Sequence, residues 1–197
     1  MEINHDLINI ERGRALNAFT KLESYLCWIL KEAGNLEHKT ASIIFYSNTS
    51  FQPRIKIISA ILEEFFENKF EIFWTSTCEI LSSLNKQRNK IVHWHSYPVY
   101  NEKQVPEDTK FILLSPHMAE KDKFSELSTH NIREFIKKTN YVTSVLHIFR
   151  SCFDNANPAI QKYDIEFFSK HKLTYPTSKD DPFKKKLKSL NMQMNNQ

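Results

Sequence analysis

Only two glycines, Gly13 and Gly34, occur among the 197 residues. That scarcity leaves no glycine-rich phosphate loop, and neither a GxGxxG run nor a P-loop is present. It also argues against a sheet-rich fold, whose tight hairpin turns draw heavily on glycine. Cysteine is nearly as rare. Cys27, Cys78 and Cys152 are far apart, and no two form a CxxC pair. An odd, scattered set in apolar surroundings fits buried thiols in a reducing cytoplasm. Long apolar runs are missing, with none near the roughly 18 residues of a membrane span. Met1 to Asp6 lacks a basic stretch leading into an apolar one, so no signal peptide is expected. Charge excess is small: 27 Lys and Arg against 23 Asp and Glu, a net +4. That balance permits a nucleic-acid partner without requiring one.

What is abundant is phenylalanine, at 15 residues. A chain of this length buries about 70% of its unfolded surface, enough for one core. The apolar residues recur at helical steps of three and four. Ala15, Phe19, Leu22, Leu26, Ile29 and Leu30 mark a first helix from Asp6 to Ala33, stopped by Gly34 and Asn35. A polar connection to Thr49 follows, interrupted by the apolar patch Ile43 to Tyr46. Ser50 is placed to cap a second helix, with Pro53 in its first turn. The third helix runs from Asn68 to Trp94, striped by Phe70, Phe73, Trp74, Leu81, Leu84 and Ile91.

From Ser96 to Ser115 the helical period is lost and Pro98 and Pro106 punctuate the chain. Phe111 to Leu114 is a candidate strand, paired with Tyr97 to Tyr100 in a hairpin. Ser128 is placed to cap a fourth long helix carrying Ile132, Phe135, Val142, Leu146 and Phe149. Beyond the Asn157-Pro158 break, Ala159 to Lys170 is a short amphipathic segment. Residues 176–197 read as a basic, flexible C-terminal tail around Lys184, Lys185, Lys186 and Lys188. The expected fold is therefore mainly all-α. It is an antiparallel bundle of four to five helices over residues 1–175, with a small irregular or β-hairpin insertion before the last long helix.

One segment breaks the amphipathic pattern. After Leu84 the third helix turns polar through Asn85, Lys86, Gln87, Arg88, Asn89 and Lys90, before Ile91, Val92 and His93. An Arg and a His five residues apart mean little alone. Here Asn89 follows the Arg directly, two β-branched residues precede the His, and the run closes a long helix. Five helical residues turn through about 140°, so Arg88 and His93 do not share a face. Asn89 and His93 do, being four apart. This spacing suggests that Asn89 orients the His93 ring while Arg88 reaches round. His95, seven residues from Arg88, would join the Arg88 face if the helix continued that far.

The stretch Leu84 to Trp94 resembles the signature of HEPN domains: an Arg, a polar residue, a short spacer and a His. The order of long helices over residues 5–153 is also similar to that family. HEPN domains are typically dimerising helical bundles, and many are metal-independent endoribonucleases of toxin–antitoxin, anti-phage and RNA-processing systems. The resemblance implies that Arg88 and His93 are catalytic and Asn89 supportive. It implies RNA as substrate, no cofactor or metal, a homodimer, and an antitoxin or accessory protein as a further partner. In a toxin branch of the family, a Tyr stands two residues after the His and is modified by a partner nucleotidyltransferase. Here that position is His95, with Tyr97 two further on.

The residue types suit the chemistry. Metal-free RNA cleavage uses the 2′-hydroxyl as nucleophile and needs a group that moves protons near neutral pH, which His supplies. Charge growing on the phosphate needs a fixed cation, and the Arg fork can bind two oxygens. His95 is a second proton carrier or phosphate contact in this reading.

Plainer readings stand beside these. Arg and His are favoured at a helix C-terminus by the dipole. Trp28, Trp74 and Trp94 suit a core. His117, His130 and His147 show no ligand spacing. Glu23 is either a partner of the motif or a surface charge. The alternative function is a non-catalytic dimeric helical module that binds a nucleotide, RNA or protein.

Overall fold

The computed structural model describes residues 2–99, 110–115, 126–153 and 158–194. The fold is mainly all-α. Its helices are α1 (Glu2–Ala33), α2 (His38–Ser47), α3 (Phe51–Phe66), α4 (Glu71–His93), α5 (Thr129–Phe149), α6 (Pro158–Lys170) and α7 (Pro182–Met194). Strands β1 (His95–Val99), β2 (Lys110–Leu114) and β3 (Glu126–Ser128) lie between α4 and α5, and a 3-10 turn (Arg150–Phe153) follows α5. No helix is long and apolar enough to cross a membrane among the described residues.

Seven α-helices among the described residues exceed the four to five expected. One addition is α2. Its Ala41 and Phe45 are buried, so the patch from Ile43 to Tyr46 belongs to a helix. The other is α7, where a flexible tail was expected.

The chain forms two compact units. One comprises Met1–Thr20 with Ser83–Thr139, the other Lys21–Ser82 with Asn140–Gln197. The boundaries fall inside α1, α4 and α5.

In the first unit, Ile8, Ala15, Phe19, Leu84, Ile91, Leu113, Ile132 and Phe135 are buried. The sheet is antiparallel in the order β1-β2-β3, with Tyr97 opposite Ile112 and Leu113 opposite Leu127. The expected hairpin is therefore present, although Tyr100, Pro106 and Pro116 lie outside the described residues. Ser128 starts α5 as expected. Its hydroxyl accepts from the Asn131 amide at 3.3 Å, and the Asn131 side chain accepts from the Ser128 amide at 2.9 Å. This is a reciprocal capping box with Asn in the third helical position.

The second unit is built on phenylalanine. The Phe73 ring lies 4.7 Å from Phe149 and 4.7 Å from Phe168. Phe183 of α7 joins them, 5.7 Å from both Phe73 and Phe168, and is fully buried. Burying such a ring contributes about 2 kcal/mol relative to leaving it in water. Asp181 caps α7 by accepting from the Lys184 amide at 2.9 Å. Pro182 occupies the first helical position, where its missing N–H costs nothing. The tail expected from Pro176 onward is thus helical over Pro182–Met194 and anchored at Phe183.

Two ends depart in detail. At the close of α1, Asn35 rather than Gly34 takes the left-handed conformation (φ 48°). Gly34 is needed for closeness, because a Cβ there would sit 2.9 Å from the Leu30 carbonyl oxygen. Ser50 is the N-cap of α3, but its side chain makes no capping bond. At the start of the third long helix, Asn68 is left-handed (φ 58°), so α4 begins at Glu71.

Candidate functional site

The motif closes α4 in the first unit. The helix ends at His93, and the chain enters β1 at His95. His95 is therefore a strand residue, paired with Leu114, and does not continue the Arg88 face of a helix. Arg88 is half-buried, whereas Asn89, His93 and His95 are exposed.

The structure joins Arg88 to Asn89. The Arg88 Nη1 donates to the Asn89 Oδ1 at 3.2 Å. The guanidinium carbon also lies 6.0 Å from the centre of the Phe19 ring, itself buried and stacked on Phe135 at 6.3 Å. Arg88 is thus braced on one side by an aromatic face and on another by an amide oxygen. Its remaining N–H donors have no other partner among the described residues. Asn89 is committed to Arg88 and makes no hydrogen bond to His93, contrary to the pairing that helical spacing suggested. The His93 side chain has no hydrogen-bond or ion-pair partner among the described residues.

A residue that sequence reasoning missed holds this end of the helix. Arg12 on α1 donates from Nε to the Ile91 carbonyl at 3.1 Å and from Nη2 to the Val92 carbonyl at 3.0 Å. The last carbonyls of a helix lack partners within it and carry the negative end of its dipole. A cationic fork satisfies both needs and fixes the backbone that carries His93. Beside Arg12, the Glu11 carboxylate is buried and accepts from Arg14 at 3.1 Å and from Arg133 of α5 at 2.9 Å. Nothing local in the sequence marked Arg12, because its contact spans 79 and 80 positions.

Lys90 places its ammonium 4.9 Å from the Trp94 ring centre, so Trp94 is half-buried and partnered by a cation. Gln87 Oε1 and Ser96 Oγ, on either side of the motif, are buried and have no hydrogen-bond partner among the described residues.

A comparison with known protein families, curated proteins and solved structures finds no match. The site is read from its own residues.

Other candidates are placed elsewhere. Glu23 pairs with Arg54 at 2.5 Å in the second unit. Trp74 is buried, and its indole N–H donates to Ser59 at 2.8 Å. Trp28 is half-buried, and His130 and His147 are exposed. His117 lies outside the described residues. Among those described, no group of three His, Cys, Asp or Glu side chains is placed to hold a metal ion.

Proposed function

We propose that this chain is a metal-independent endoribonuclease of the HEPN type. The observation that carries the reading is an exposed imidazole at the last residue of α4, without a hydrogen-bond or ion-pair partner among the described residues, five positions after a braced Arg88. In this scheme the RNA 2′-oxygen attacks the adjacent phosphorus. Its proton passes to His93, the bond to the 5′-oxygen breaks, and that oxygen takes up a proton. The products are a 2′,3′-cyclic phosphate and a free 5′-hydroxyl. Arg88 stabilises the charge that develops on the phosphate oxygens. Asn89 holds Arg88 rather than His93, a role the 3.2 Å bond supports. His95 at the start of β1 supplies a further phosphate contact.

The protein of this reading works in the cytoplasm, pairs two motifs in a homodimer, and meets an antitoxin or accessory protein in a defence setting. Purified protein incubated with RNA in EDTA tests the chemistry. Cleavage that survives chelation, leaves cyclic phosphate ends and disappears in both Arg88→Ala and His93→Ala supports it. Cleavage that needs a metal, or that persists in both variants, overturns it.

A second reading, a non-catalytic dimeric module, draws on the packing of Arg88 against Phe19. It predicts that Arg88→Ala lowers stability while RNA stays intact in every form of the protein.

A further inference from the structure

Outside the motif, the second unit carries a cluster in which cations and aromatic rings alternate. Trp28 of α1 has the Arg150 guanidinium carbon 5.1 Å and the Lys31 ammonium 5.2 Å from its ring centre. The His38 ring stacks on the same indole at 4.7 Å, 24° from parallel. One helical turn before Trp28, Tyr25 meets His147 edge-on at 5.3 Å. Glu32 pairs with Lys31 at 3.1 Å and approaches Arg150 at 4.0 Å, which holds both cations in place.

The cluster remains positive after that pairing. Lys21, Lys31 and Arg150 stand against Glu32. Partial burial and the charges of Arg150 and Lys21 lower the proton affinity of His147, as expected where cations gather. A cleft of about 500 Å³ adjoins the cluster, sharing Lys31 and Glu32 and lined also by Asn35 and Phe65. Phe65 is 64% exposed. His38 is exposed as well.

Surface arginines and lysines alone would mean little. The exposed rings of His38 and Phe65, beside cations fixed around the half-buried Trp28, are what a single-stranded nucleic acid needs. Its bases stack on the rings, and its phosphates meet the cations. Base edges are not read in such a mode, so it tolerates many sequences. We infer that the cluster of Trp28, Lys31, His38 and Arg150, with Phe65 across the adjoining cleft, is a binding surface for single-stranded nucleic acid. The surface uses neither Arg88 nor His93 and does not depend on the nuclease reading.

The test is fluorescence anisotropy with the full chain carrying His93→Ala, so that cleavage cannot distort the binding curves. The probes are labelled oligouridylate and oligothymidylate of roughly a dozen nucleotides, with a duplex of the same length. The single strands are expected to bind more tightly than the duplex. His38→Ala and Phe65→Ala should each weaken binding about fivefold with unchanged salt dependence, because they remove stacking. Lys31→Gln should weaken binding and make the log–log salt slope shallower by about 0.7. Lys188→Gln on α7 is the matched control and should change affinity less than twofold. Failure of the single strands to bind, equal binding of the duplex, or an equal loss in Lys188→Gln would overturn the proposal. Absence of cleavage by the wild-type protein would not touch it, so the two readings fail separately. Thermal melts check that each variant is folded.

Discussion

Arg12 donates to the backbone carbonyl of Val92 at 3.0 Å, reaching from the first helix to the end of the fourth. With its companion bond to Ile91 it binds the turn from which His93 projects. Arg12→Lys keeps the charge but loses the fork, since an ammonium does not match two carbonyls in one plane. The expected cost is about 1–2 kcal/mol, taken low in the range for charged hydrogen bonds because the side chain is part-exposed. Urea denaturation measures it. Amide exchange at Trp94, whose N–H donates to the Lys90 carbonyl, should quicken in the same variant. Unchanged stability and exchange would remove Arg12 from any role in holding the motif.

Much of this architecture was legible in the sequence. The stripes of α1, α4 and α5 were long enough for the 3.6-residue period to stand out, and Ser128 marked its helix start. The hairpin was legible from Tyr97 and Phe111 to Leu114. What escaped was short or depended on distant partners. In α2 only Ala41 and Phe45 of ten residues are buried, too few to establish a period. In α7 four lysines surround Phe183 and Leu187, and the local composition reads as solvated. The start signal Asp181-Pro182 was nonetheless present. At the motif, helical spacing gave the positions of Asn89 and His93. It could not show that Arg88 would claim the Asn89 oxygen.

The anchoring of α7 can be measured through a buried ion pair. The Lys186 ammonium donates to the Asp164 carboxylate, which also accepts from Ser151, and both charged side chains are nearly inaccessible. Lys186→Ala leaves that carboxylate buried with its charge unmatched, and should destabilise the protein by about 3 kcal/mol. The double variant Asp164→Asn with Lys186→Met removes both charges and should recover at least half of the loss. Chemical denaturation of the three proteins checks both values. A loss below about 0.5 kcal/mol in Lys186→Ala would return this segment to the status of a surface tail.

Alkaline pH should weaken the fold. Burial raises the Cys27 and Cys152 thiols above the ordinary thiol range and pushes Cys78 up to about 11. Burial and the neighbouring Asp181 charge raise the Tyr141 hydroxyl in the same sense. In each case unfolding releases a proton more readily than the folded state does. Between the ordinary thiol pKa near 9 and about 11 for Cys78, the unfolded chain binds fewer protons, so stability falls as pH rises. Below that window these groups contribute no slope. Urea midpoints from pH 7 to 11 should show the decline, and Cys78→Ala should make it shallower. At pH 8 the three thiols of the folded protein should resist alkylation, because little thiolate forms. Rapid labelling in native conditions would contradict these shifts.

The most direct test is His93→Ala, with cleavage and stability measured on the same preparation. The His93 side chain is exposed and has no hydrogen-bond or ion-pair partner among the described residues. Its removal should leave the unfolding free energy within about 0.5 kcal/mol of the parent protein. RNA cleavage in EDTA should fall at least 100-fold, the scale of a lost proton-transfer group. Undiminished cleavage, or a loss of activity that only tracks a loss of stability, would contradict the assignment of this helix end as a nuclease site.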